Sequence, residues 1–123
     1  MTEISIFPTA FICGLLLLPL LHYIADFELQ TNWMAINKSK RIDALFVHVM
    51  IYGGVFGLVF GWKFSVVTFV LHFLTDLVTS RWSSYYFTRD RHRFFCIIGF
   101  DQMLHAYSLV ATAVWLNTKP WWM

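Results

Sequence analysis

Three His–Asp pairs recur at one spacing along this chain: His22 with Asp26, His72 with Asp76, and Asp101 with His105. Residues four apart share one face of a helix. Imidazole and carboxylate are ligands for divalent metals and also carry protons. His48 adds a further imidazole. Together these residues use four of the five histidines and three of the seven acidic residues. All of them fall inside stretches apolar enough to cross a membrane. An Asp at the centre of a membrane helix costs roughly 2.5–3.5 kcal/mol on the insertion scale, so three of them, each one turn from a histidine, mark a functional site.

Helix bundles hold one or two metal ions with inward-facing histidines and carboxylates. Seven candidates exceed the needs of one tetrahedral zinc, and a catalytic zinc keeps one position open for water. The surplus serves a second ion, orients the ligands, or acts as a general base. His22, His48, His72 and His105 are the expected ligands. Asp26, Asp76 and Asp101 complete the shell or act as catalytic base. The donor mix suits Zn, Mn, Fe or Ni and does not choose among them; Zn is the expected ion, as one or two ions. Any single pair is equally well a hydrogen-bonded contact between helices; three pairs plus His48 in one layer favour a metal or proton-handling site. His92 sits in an Arg-rich loop and reads as a solvated surface histidine.

The elements that must position these residues are membrane spans. The chain is 59% hydrophobic, 20% aromatic and only 13% charged, with a mean hydropathy of +0.62. That composition departs from a soluble domain and predicts an all-α integral membrane protein, a four-helix bundle forming a single transmembrane domain over residues 1–123. The spans are expected near 7–27, 43–61, 62–82 and 94–117, each long enough to cross. The first is read as a retained span, because only Glu3 precedes the run beginning at Phe7 and no cleavage pattern is evident. Cys13 and Cys96 are placed toward opposite faces, too far apart for a disulfide.

Charge sets the orientation. Lys38, Lys40 and Arg41 follow the first span, and Arg81, Arg89, Arg91 and Arg93 follow the third, against Lys63 and Lys119 on the other side. By the positive-inside rule both basic loops face the cytoplasm and both termini face away from it. His22, Asp26, His48, His72, Asp76, Asp101 and His105 then overlap in depth, roughly 5–15 Å below the cytoplasmic edge at 1.5 Å per helical residue. A net charge of only +2 gives no nucleic-acid footprint. The expected partners are membrane lipids.

Other features have plainer readings. Pro19 should kink the first span and free a backbone carbonyl. Gly53, Gly57 and Gly61 form a stripe for close helix contact, inside the protein or in a homo-oligomer. Trp62, Trp82, Tyr85, Tyr86, Trp121 and Trp122 suit interfacial belts. Gln30 or Asn32 is expected to cap a helix, and Tyr52 lies one turn from His48, within reach of the site. Arg89, Arg91 and Arg93 serve topology and attraction to anionic lipid; the functional alternative is a clamp on a substrate phosphate.

Taken together, His22-x3-Asp26-Phe27-x2-Gln30 with Trp33, Ala35 and Lys38, His48-x3-Tyr52, His72-x3-Asp76 and Asp101-Gln102-x2-His105 resemble a family of small integral-membrane proteins from bacteria, prophages and phages, classed as a domain of unknown function. The resemblance covers nearly the whole chain and implies a helical membrane protein, with no activity attached.

The sequence reading is a protein of the bacterial cytoplasmic membrane with an intramembrane metal site opening to the cytoplasmic leaflet. Its expected chemistry is metal-assisted hydrolysis of an ester or phosphoester on a lipid or amphiphile. Two rival classes stand beside the enzyme: an ion or proton transporter with a buried His/Asp network, and a non-enzymatic phage or prophage membrane factor whose metal site is structural.

Overall fold

The computed structural model describes residues 8–123; Glu3 and Phe7, on which the reading of the first span's beginning rests, lie outside them. Five α-helices and one π-helical turn make up the described residues: α1 (Thr9–Tyr23), the π turn (Ile24–Glu28), α2 (Asn32–Asn37), α3 (Ile42–Phe60), α4 (Trp62–Tyr86) and α5 (Arg91–Leu116). No strand occurs among them. Four segments are long and apolar enough to cross a membrane: 9–28, 42–60, 62–86 and 91–116. Four membrane-length helices, the number expected, are thus present among the described residues. The third and fourth run on at their basic ends, where Ser83, Ser84 and Arg93 continue the helices.

Two features were not foreseen. The first span changes from α to π geometry five residues after Pro19, and the wider turn carries Asp26. Such π turns inside α-helices often accompany functional sites. The short helix α2 then folds over the end of the bundle. Its N-cap is neither Gln30 nor Asn32 but Thr31, whose Oγ1 accepts from the Met34 N–H at 3.2 Å. Thr31 has the hydroxyl and the extended backbone that a cap requires, whereas Asn32 already lies within the helix.

α3 and α4 meet at Gly61 alone, whose φ of +98° is open to glycine and strained for other residues. The reversal lays α4 along the glycine stripe of α3. A Cβ on Gly57 would come within 2.9 Å of Ser65 Cβ, and one on Gly53 within 3.3 Å of the Ser65 carbonyl oxygen. Ser65 Oγ donates to the Gly53 carbonyl at 2.8 Å. Small residues here buy close approach between the two helices.

Leu18, Tyr52, Phe56, Phe64, Leu109 and Ala113 form an apolar core contributed by α1, α3, α4 and α5. Beyond Asn117, which turns the chain in the left-handed region, the C-terminal segment returns to α3 through a Trp121 N–H bond to the Val59 carbonyl at 3.1 Å. Leu16, Leu58, Val78, Val114 and Trp115 point outward, each more than half exposed. Apolar side chains outside, with His and Asp inside, suit a protein surrounded by hydrocarbon.

Candidate metal centre

Helix α3 delivers His48, α4 delivers His72 and Asp76 one turn apart, α5 delivers Asp101 and His105, and the π turn delivers Asp26. All six are buried. Their convergence follows from the packing of α4 between α3 and α5, with the first span closing the remaining side.

Asp26, His48, His72 and Asp76 surround one point. His48 Nε2 lies 2.9 Å from Asp26 Oδ1, 3.4 Å from Asp76 Oδ2 and 3.2 Å from His72 Nε2. His72 Nε2 lies 3.5 Å from Asp26 Oδ1 and 3.3 Å from Asp76 Oδ2. A tetrahedron of ligands with bonds of about 2.0–2.1 Å has edges of about 3.3 Å. Five of its six edges are thus present, from three separate helical segments of the bundle. A second group shares Asp26: a carboxylate oxygen of Asp26, one of Asp101 and a ring nitrogen of His105 lie within 4.8 Å of one another. His105 Nε2 is 3.1 Å from both Asp76 Oδ1 and Asp101 Oδ1, so Asp76 faces both groups with different oxygens.

His22 takes another place. Its Nε2 is 3.7 Å from Asp26 Oδ2 but 2.6 Å from Gln102 Oε1, and its Nδ1 is 2.7 Å from the Tyr52 hydroxyl. Gln102 Nε2 donates to Asp101 Oδ2 at 3.0 Å and to Asp26 Oδ2 at 3.5 Å. Carboxylates only accept, so the Gln102 amide nitrogen faces them and its oxygen faces His22. His22 therefore donates from Nε2 and accepts the Tyr52 hydroxyl at Nδ1. Tyr52, expected to reach the site, also lies flat against His72, with ring centroids 3.8 Å apart. Thr79 Oγ1 donates to Asp101 Oδ1.

Lys38 and Gln102 are site residues that pattern reasoning on His and Asp left out. Lys38 Nζ donates to Asp76 Oδ2 at 3.3 Å, the oxygen shared with His48 and His72. Burial would lower the Lys38 pKa, but the Asp76 and Asp26 carboxylates outweigh it and hold the ammonium above its ordinary value. A lone lysine just past a six-residue helix carries no periodic signal. Gln102 offers one, since it directly follows Asp101.

A cavity of about 470 Å³ opens from this centre toward the end of the bundle that holds the basic loops. It is lined by Asp26, Asp76, Asp101 and Gln102 of the centre, by Lys38, Lys40 and Gln30, and by Thr79, Ser80, Ser83, Phe87 and Phe94. Arg89, Arg91 and Arg93 do not line it. They are exposed, with Arg89 over the Tyr85 ring, Arg91 over Phe87, and Arg93 paired with Asp90. His92 is exposed beside Cys96, and both cysteines are free.

Membrane-length helices and a buried His–Asp centre that could hold a metal define the class of this protein. The chain belongs to the family described as protein of unknown function (DUF3307), whose model matches residues 14–122. No curated protein and no solved structure matches it.

Proposed function

We propose that this is a membrane-embedded metal-dependent hydrolase acting on an ester or phosphoester of a lipid or amphiphile at the cytoplasmic leaflet. The observation that carries the metal is the near-tetrahedral set formed by Asp26, His48, His72 and Asp76. Charge supports it. Three buried carboxylates face one lysine, leaving two negative charges in excess, which a single divalent ion neutralises. Uncompensated buried charge is costly.

Four protein ligands alone would make a closed, structural centre. The cavity reaching Asp26, Asp76 and Asp101 argues for the open one, because water and a substrate head group have a route to the ion's side. Held by Asp26, His48, His72 and Asp76, a divalent ion would supply Lewis acidity and make water a nucleophile near neutral pH. In this reading Asp101, held by Thr79, Gln102 and His105, takes the water's proton. The water oxygen adds to the ester carbon or phosphorus, the ester bond breaks, and the leaving alkoxide recovers a proton as the alcohol. Zn is the first choice of ion, and the positive-inside rule applied to the basic loops supports a cavity mouth facing the cytoplasm.

The test is elemental mass spectrometry of protein purified in detergent without chelator, beside His72→Ala. One or two ions per chain, lost in the variant, are the expected result. A wild type still free of metal after add-back overturns the proposal.

One observation favours a second reading, proton handling. His72 Nδ1 and Thr68 Oγ1 are buried without hydrogen-bond partners, and both residues line a cavity of about 10 Å³ on the other side of the rings. A water there would extend the polar network beyond the cluster. Two protonated imidazoles would balance the carboxylates as one divalent ion does. Proton flux in proteoliposomes from metal-free protein would replace the hydrolase with this reading.

A further inference from the structure

Lys38 occupies a position that a metal ion would contest. Its ammonium shares Asp76 Oδ2 with the two imidazoles of the tetrahedral set. A divalent ion between those ligands would sit beside a positive charge already in contact with one of them, at the short range where like charges repel strongly in a poorly hydrated interior. The lysine side chain is flexible and Lys38 also lines the large cavity, so it has somewhere to turn.

We propose that Lys38 exchanges Asp76 for an anion: when the metal binds, its ammonium swings into the cavity and, with Lys40, holds the phosphoryl head group of a single-chain amphiphile. This rests on the hydrolase reading and narrows its substrate class to phosphorylated amphiphiles.

The charge of the cavity carries the coupling. Three carboxylates and two ammonium groups line it, an excess of one negative charge that disfavours an anion. One divalent ion reverses that sign. Gln30 supports a ligand in the same cavity, since its Oε1 is buried without a donor, and a protonated phosphoryl hydroxyl would supply one. Phe27, Ile36 and Phe87 are all on the cavity lining, and each is about half exposed or more. They give an alkyl chain an apolar way out past the mouth. A volume of about 470 Å³ accommodates a head group and the first part of a chain; the remainder would lie among the surrounding lipid tails.

The probe is dodecyl phosphate, titrated into the full-length protein in maltoside detergent, with inorganic phosphate as the free-anion arm. Metal content is measured on the same samples. Metal-loaded wild type should bind dodecyl phosphate more tightly than inorganic phosphate, and chelator treatment should weaken that binding. Lys38→Met should keep its metal and lose about ten- to a hundredfold in dodecyl phosphate affinity, the value of a charge-assisted hydrogen bond. Lys38→Arg, which retains the charge, should recover most of it. Unchanged affinity in a metal-loaded Lys38→Met protein would overturn this inference and leave the hydrolase standing. Equal affinity for the two probes would overturn the amphiphile assignment. A wild type without metal would overturn both proposals.

Discussion

His22 and Gln102, 80 residues apart in sequence, meet at 2.6 Å between Nε2 and Oε1. Because the Gln102 amide nitrogen is committed to the carboxylates of Asp26 and Asp101, this contact fixes which nitrogen of His22 carries the proton. His22 thus orients the carboxylates from behind Gln102, with Tyr52 in turn holding His22.

Gln102→Leu and His22→Phe should therefore weaken metal binding by about 10–100-fold without abolishing it, as outer-shell substitutions do. His72→Ala should abolish it. Competition with a chromophoric chelator measures all three. Loss in His22→Phe as complete as in His72→Ala would make His22 a direct ligand.

Metal occupancy should fall in acid. Coordinating imidazoles must be unprotonated, so binding releases protons. Affinity should fall as pH is lowered, and more steeply for two coordinating imidazoles than for one. Lys38 does not add to this loss. Its pKa is raised above the ordinary 10.5, so the stability it contributes is complete below that value and disappears only as pH rises through the raised one. Metal content after dialysis across pH 5–8 checks the direction; occupancy constant across the range would exclude ligation by histidine.

The hairpin should discriminate between two neighbouring glycines. Gly57→Ala drives a Cβ to 2.9 Å from Ser65 Cβ, whereas a Cβ on Gly54 meets nothing within 4 Å. Gly57→Ala should cost about 1–3 kcal/mol of stability as overpacking. Gly54→Ala should be neutral or slightly stabilising, since alanine is the better helix former. Thermal unfolding in detergent separates them, and equal effects would mean that α3 and α4 do not pack through this stripe.

Much of the architecture was legible in the sequence because hydrocarbon imposes a simple rule. Apolar runs of about 20 residues cross as helices, and ionisable residues inside them need partners. Four spans and the shared layer of His48, His72, Asp76, Asp101 and His105 follow from run length and from the spacing of polar residues alone. Spacing along a helix names a face, however, and does not say which atom on that face meets which atom on another helix. Tertiary packing decided that His48 and His72 turn their Nε2 atoms to one point while His22 turns to Gln102. The π turn decided the placement of Asp26, and its cause is a local choice of hydrogen-bonding register that composition does not encode. Lys38 reaches Asp76 because α2 folds back over the bundle end, a contact between residues 38 apart that no period along the chain could signal.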